Sequence, residues 1–154
     1  MIQKLRERSG SESGFTLVEL LVVMLILGLL AAIAIPSFFN QRDKARDADA
    51  KEGVRTAQTA METYATGNDG SYSGADATDL TNIESTLNDI DLSAVTPNAA
   101  GDGYTITADS EAGNDFSIRR YGESDDTATQ PAGTTVLSCN TAGEDGCPSG
   151  GRWD

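Results

Sequence analysis

From Leu20 to Ile35 the chain reads LLVVMLILGLLAAIAI, sixteen apolar residues without a break. No charge stands between Glu19 and Arg42, and Phe15 to Phe39 is a stretch of 25 residues. As an α-helix that stretch is about 37 Å long, enough to cross a bilayer core of about 30 Å. A helix apolar on every side belongs in a large core or a membrane. The rest of this 154-residue chain is too polar to wrap it. A cleavable secretory signal is the other candidate, but its small-residue cut site follows the apolar run. Here Ser9, Gly10, Ser11, Ser13 and Gly14 precede the run, and Pro36-Ser37-Phe38-Phe39 follows it. The apolar segment is therefore expected to stay in the mature protein.

Charge is distributed as unevenly as hydropathy. Residues 1–14 hold three bases against two acids, residues 15–65 five against six, and residues 66–154 only Arg119, Arg120 and Arg152 against sixteen acids. The net charge is −13. Binding to nucleic acid is not expected, because phosphate contacts need clustered Lys and Arg. The chain has no His, which excludes Ser-His and Cys-His nucleophile pairs and His-rich metal sites. The bases flanking the run do not favour an exported C-terminus, but long domains cross largely regardless of charge. The two cysteines near the C-terminus suit an oxidising compartment.

The segment Gly14-Phe15-Thr16-Leu17-Val18-Glu19 is more specific. A short basic leader ends in Gly, an aromatic residue opens the apolar run, and one carboxylate interrupts it. With the rest of GFTLVELLVVMLILGLLAAIAIP, this resembles the N-terminus of type IV pilins and of type II secretion pseudopilins. The resemblance covers about residues 8–65. It implies cleavage between Gly14 and Phe15 by a prepilin peptidase, N-methylation of Phe15 by the same enzyme, and an assembly role for Glu19. In the family this carboxylate is thought to pair with the N-terminal amine of a neighbouring subunit. A carboxylate at the centre of a membrane helix costs about 2.5–3.5 kcal/mol on insertion scales, and such groups usually have a function and a partner. The alternative is that Glu19 lies near the interface and reaches water.

Gly28 and Pro36 also match family positions. Pro36 lacks an N–H and crowds the carbonyl of Ala32, while Gly28 costs about 1 kcal/mol of helix propensity. These are expected weak points, and the resemblance implies a segment able to lose helicity when subunits pack. Many pilins have a second helix proline about twenty residues later, and Val54 to Ala60 has none.

Beyond Pro36 the pattern becomes amphipathic. Ala50, Val54, Ala57, Met61 and Tyr64 form one helical stripe, weakly extended by Ala45 and Ala48. Gly67-Asn68-Asp69-Gly70 ends it. One helix of about 75 Å from Phe15 to Ala65 is expected. Leu80, Ile83, Leu87 and Ile90 recur at helical spacing, with Thr81 and Glu84 as a capping box. They predict a short helix over 82–90. Tyr104 to Ala108 and Phe116 to Arg119 read as strands, and Thr135 to Cys139 as a third. Such a sheet would bury Ile106, Phe116, Ile118 and Leu137. The alternative is a disordered acidic tail.

The head core is thin and needs a cross-link. Cys139 and Cys147 are the one pair within the chain, and closing their loop contributes roughly 2–3 kcal/mol in the chain-entropy model. Their position resembles the C-terminal disulfide loop of many pilins. Trp153 either packs on the head or is an exposed contact. Major pseudopilins bind calcium through a C-terminal acidic loop, which makes Glu123, Asp125 and Asp126 an alternative metal position to a solvated acidic surface.

The reading is a non-enzymatic, cofactor-free structural protein of α+β class, a long helix packed on a small antiparallel head. Its expected layout is a cleaved leader (1–14), an apolar transmembrane and assembly helix (15–39), its amphipathic continuation (40–66), a connecting loop (67–100), then sheet and disulfide loop (101–154). It implies a single-pass precursor in the cytoplasmic membrane with its head exported. The precursor then polymerises with copies of itself, through the peptidase and the pilus assembly machinery, into an extracellular or periplasmic filament. A secretion pseudopilin, and a minor pilin for DNA uptake or adhesion, are the alternatives.

Overall fold

A computed structural model describes residues 14–153. The leader expected over 1–14 thus lies outside the described residues except for Gly14. The chain divides into two compact units, 1–39 and 40–154.

The first unit holds the apolar part of α1, the helix Leu17–Gly67. Its apolar side chains are exposed, Leu25 at 75% and Ile33 at 71%. It is the one helix among the described residues long and apolar enough to cross a membrane. The helix runs through Gly28 and Pro36 without interruption.

In the second unit α1 buries Ala50, Val54, Ala57, Ala60, Met61 and Ala65. The predominance of Ala lets the rest of the head come close to the helix. Gly53 makes the same point: a Cβ there would stand 2.6 Å from Ile90. The stripe is not extended by Ala45 and Ala48, which are exposed. Asp47 takes the buried position instead; a backbone and a side-chain donor from the head meet its Oδ2, while its buried Oδ1 has no hydrogen-bond partner. Tyr64 lies at the margin, its hydroxyl donating to the carbonyl of Ser73.

The short helix falls earlier than the hydrophobic spacing predicts. It is α2, Ala77–Ile83, and Asp76 with Asp79 forms its capping box in place of Thr81 and Glu84. Glu84 ends α2 and then caps a separate 3-10 turn, Ser85–Asp89. Leu80 and Leu87 are both buried, and the break at Glu84 lets each reach the core from its own short element.

Four antiparallel strands follow in the order β1-β2-β3-β4: Asp91–Pro97, Tyr104–Asp109, Asp115–Arg120 and Thr135–Cys139. The sheet thus begins at 91, inside the segment expected to be a connecting loop. Asp91, Ser93 and Pro97 mask β1 in the sequence, and all three are tolerated because β1 is an edge strand. Its register slips between Asp91 and Ala94, a bulge of the kind found at sheet edges. Ile106, Phe116 and Ile118 are buried, while Leu137 packs against the core only partly covered. Trp153 is buried, its ring edge-on to Phe116 and its Nε1 donating to the carbonyl of Ser138 at 2.8 Å. Cys139 and Cys147 form a disulfide.

Candidate assembly site

Gly14 and Phe15 precede α1 outside regular secondary structure, with Phe15 80% exposed. Thr16 occupies the position before the first helical residue, and Glu19 is the third residue of the helix. The Glu19 backbone N–H donates to Thr16 Oγ1 at 3.2 Å, and Glu19 Oε2 accepts from the Thr16 N–H at 3.3 Å and from its hydroxyl at 3.2 Å. This is a reciprocal capping box, two orphan donors at the helix start satisfied by two side chains. Its signature in the sequence is T-x-x-E at the start of the apolar run. The helix dipole adds to the arrangement, since an anionic side chain is favoured in the first turn.

Glu19 is therefore held within four residues of the expected cleavage point, folded back onto the backbone. Its partners are local and neutral. A nearby ammonium would compete for the same carboxylate oxygens with the advantage of charge. Gly28 and Pro36 lie further along the same helix, inside its exposed apolar surface.

The disulfide belongs to the other unit, and there the structure reveals groups that the sequence did not single out. Asp47 is fully buried. Its Oδ2 accepts from Asn114 Nδ2 and from the Gly146 backbone N–H, each at 2.8 Å. One turn on, Lys51 Nζ donates to the carbonyl of Gly146 and lies 5.0 Å above the Phe116 ring. The helix thus holds both backbone polar groups of Gly146, the residue before Cys147. A Cβ at Gly146 would meet the Asp47 side chain at 2.7 Å.

At the other end of the same helix segment Glu62 accepts from the hydroxyls of Tyr72 at 2.7 Å and Tyr104 at 2.9 Å. Arg120 stands 3.6 Å from the same carboxylate. Burial, and after it the Glu62 carboxylate, pushes Tyr72 up to about 12 and pushes Tyr104 up as well. Among the acids singled out as a metal position, Asp125 accepts from Asn98 Nδ2 at 3.0 Å and pairs with Arg119 at 3.8 Å. Asp102 accepts from Asn98 and from Ser124. These hydrogen bonds, that from the Asn98 side chain foremost, hold its carboxyl down at about 2. The acids here face donors of the chain itself, and Glu123 and Asp126 are exposed.

Residues 10–35 match the family model described as the prokaryotic N-terminal methylation motif. The type IV narrow pilus major component PilA5 of Thermus thermophilus is 32% identical over 108 residues, 61% of this chain and 85% of that protein. The type IV major pilin protein PilA of Myxococcus xanthus is 41% identical over 51 residues, 33% of this chain and 23% of that protein. The type II secretion system core protein G of Pseudomonas aeruginosa is 40% identical over 53 residues, 34% of this chain and 37% of that protein. The match thus spans well under half the length of the last two relatives. No solved structure matches.

Proposed function

The chain belongs to the family of type IV pilins and type II secretion pseudopilins, and on that premise we propose that it is the structural subunit of a type IV pilus-like surface filament. The precursor is held in the membrane by the apolar part of α1, cut between Gly14 and Phe15 and N-methylated on Phe15 by a prepilin peptidase. The assembly machinery then extracts it into the filament. The observation that carries this reading is the first half of α1: a continuous helix with every side apolar, its side chains exposed, and one carboxylate at its start. Apolar surface of this kind leaves the lipid only for an equally apolar setting, and the packed helices of a second, third and fourth copy supply one.

Glu19 then has two successive partners. Before assembly it caps its own helix through Thr16. In the filament the amine of a neighbouring Phe15 takes over the carboxylate, and the ion pair sets the axial register. Gly28 and Pro36 are the points at which the helix can stretch as the subunits pack, since both lower its local stability.

A short periplasmic pseudopilus is the second reading, favoured by the 40% identity to a type II secretion core protein over 53 residues. Mass spectrometry of material sheared from the cell surface, beside the membrane fraction, separates the two. Abundant sheared chain beginning at methylated Phe15 establishes the surface filament. The same cleaved chain confined to membranes establishes the pseudopilus. Intact chain from Met1 in both fractions overturns both.

A further inference from the structure

Two opposed flanks of α1 in the head differ in charge. One lines a groove of about 300 Å³ between α1 and the start of the sheet. Five carboxylates line it (Asp49, Asp89, Asp91, Asp109 and Glu111) against the one cation Arg46. Arg46 is already spent on Glu111 at 3.1 Å and on Asp43 at 3.8 Å. Asp91 and Asp109 face each other directly across β1 and β2, and Asp109 faces Asp115 across β2 and β3. Like charges opposed across strands destabilise a sheet. Asp115 is relieved by Asn140 Nδ2 at 2.9 Å, whereas Asp91 and Asp109 gain no cation from their own chain within the groove. The isolated subunit therefore carries an electrostatic cost that an incoming cation would remove.

The other flank is basic. Lys44, Lys51 and Arg55 are seven and four residues apart, one stripe of a helix. Lys51 and Arg55 contact the rings of Phe116 and Trp153. Among the described cations only Arg42 and Lys44 make no ion pair, hydrogen bond or ring contact within the chain. Arg42 stands four residues before Arg46, on the groove's own side. Lys44 is turned about 140–200° from Asp49 and Arg46 at 3.6 residues per turn. It is exposed, and it cannot face the groove of its own chain.

We propose that the acidic groove receives Lys44 of a second copy of this chain. The donor and the acceptor lie on different flanks of the same helix. The contact is thus heterologous, each subunit offering a lysine on one side and a groove on the other. Contacts of that kind do not close on a two-fold axis and propagate into rings or open helices. The inference rests on the filament reading and adds to it a head-to-head contact that sets which neighbour follows which.

Zero-length carbodiimide coupling of sheared filaments tests it. The reagent joins an amine to a carboxylate that it already touches. Within residues 14–153 the lysines are Lys44 and the engaged Lys51. Filaments from cells grown on mixed light and heavy nitrogen distinguish linkage between copies from linkage within one. The expected result is a mixed-isotope peptide joining Lys44 to Asp49, Asp89, Asp91 or Asp109. Lys44→Glu is expected to lower the yield of sheared filament about tenfold, since like-charge juxtaposition at an interface is strongly unfavourable. Adding Asp91→Lys in the same chain is expected to restore most of it. Trp153 fluorescence of each variant in detergent reports that its head is folded. Filaments whose Lys44 links elsewhere, or whose yield is indifferent to Lys44→Glu, overturn this contact and leave the filament reading intact. Linkage that forms only after calcium is stripped with a chelator also overturns it, since a divalent ion would then be the occupant. Wild-type cells that shed no filament overturn the filament reading itself.

Discussion

The carboxylate of Asp47 accepts a 2.8 Å hydrogen bond from the backbone N–H of Gly146, 99 residues further along the chain. Together with the Asn114 amide, that donor lets a carboxylate sit fully buried on the core face of an otherwise apolar helix stripe. Replacing Asp47 by Ala leaves the buried Asn114 amide and the part-buried Gly146 N–H without this acceptor. The expected cost is about 2–4 kcal/mol, read as a lowered denaturation midpoint of the detergent-solubilised chain. Gly146→Ala is expected to destabilise by a smaller amount, because its methyl must displace the Asp47 side chain. Equal stability of both variants with the parent would contradict the account.

The disulfide acts on the same contact. Cys147 is the neighbour of Gly146, and Trp153 lies beyond it in the core. Reduction, or Cys139→Ser with Cys147→Ser, is expected to cost roughly 2–3 kcal/mol from loop closure and to loosen the C-terminal loop on the helix. Trp153 is the chain's only tryptophan. Its emission should therefore shift to the red and its quenching by acrylamide rise on reduction. An unchanged spectrum would show that the loop stays docked without the cross-link.

Glu19→Gln separates the two roles given to that residue. The amide oxygen still accepts from Thr16, so the helix start and membrane insertion should be retained. The charge is gone, and filament yield should fall at least as far as for Glu19→Ala. Thr16→Ala is the converse case, expected to cost about 1 kcal/mol of helix stability while leaving cleavage and assembly largely intact. Normal filaments from Glu19→Gln would remove the ion pair from the mechanism.

Alkaline titration tests the cluster around Glu62. Tyr72 has its hydroxyl raised from 10.0 to about 12 by burial and by Glu62. A raised folded value means that its contribution is fully present below pH 10 and disappears as pH rises toward 12. Head stability is expected to fall across that window. Tyr72→Phe should be less stable at neutral pH but flatter between the two limits. On the acid side Asp102, held at about 2 by Asn98 and Ser124, contributes above its ordinary 3.8 and loses that contribution as pH falls through 2. Asn98→Ala should shrink this acid limb and leave the part that the two Ser124 hydrogen bonds supply.

Much of the molecule was legible because its signals are local or periodic. The apolar run, the amphipathic stripe from Ala50 to Met61, the strands at Tyr104 and Phe116 and the pairing of two cysteines each follow from spacing or from elimination. The misplaced elements fail for equally physical reasons. Leu80 and Leu87 share a helical spacing yet sit in different elements, since Glu84 serves as end of one and cap of the next. The strand from Asp91 to Pro97 reads as loop because its edge position removes the usual penalties on Asp and Pro. The Thr16–Glu19 capping box is a further local signal, a T-x-x-E at the start of the apolar run.

The sequence by itself determined that this chain has an apolar first helix half with one carboxylate at its start, an N-terminal methylation motif and a polar acidic remainder, because each is a property of neighbouring residues. Only the tertiary structure decided that Asp47 is core, that Trp153 is inside, and that five carboxylates converge on one groove while Lys44 faces the other way. Whether a charged group can be buried depends on donors brought to it from 67 and 99 residues away. Which charges remain without a partner depends on where all the others have gone. Neither is written in any local pattern, since both are settled by chain closure.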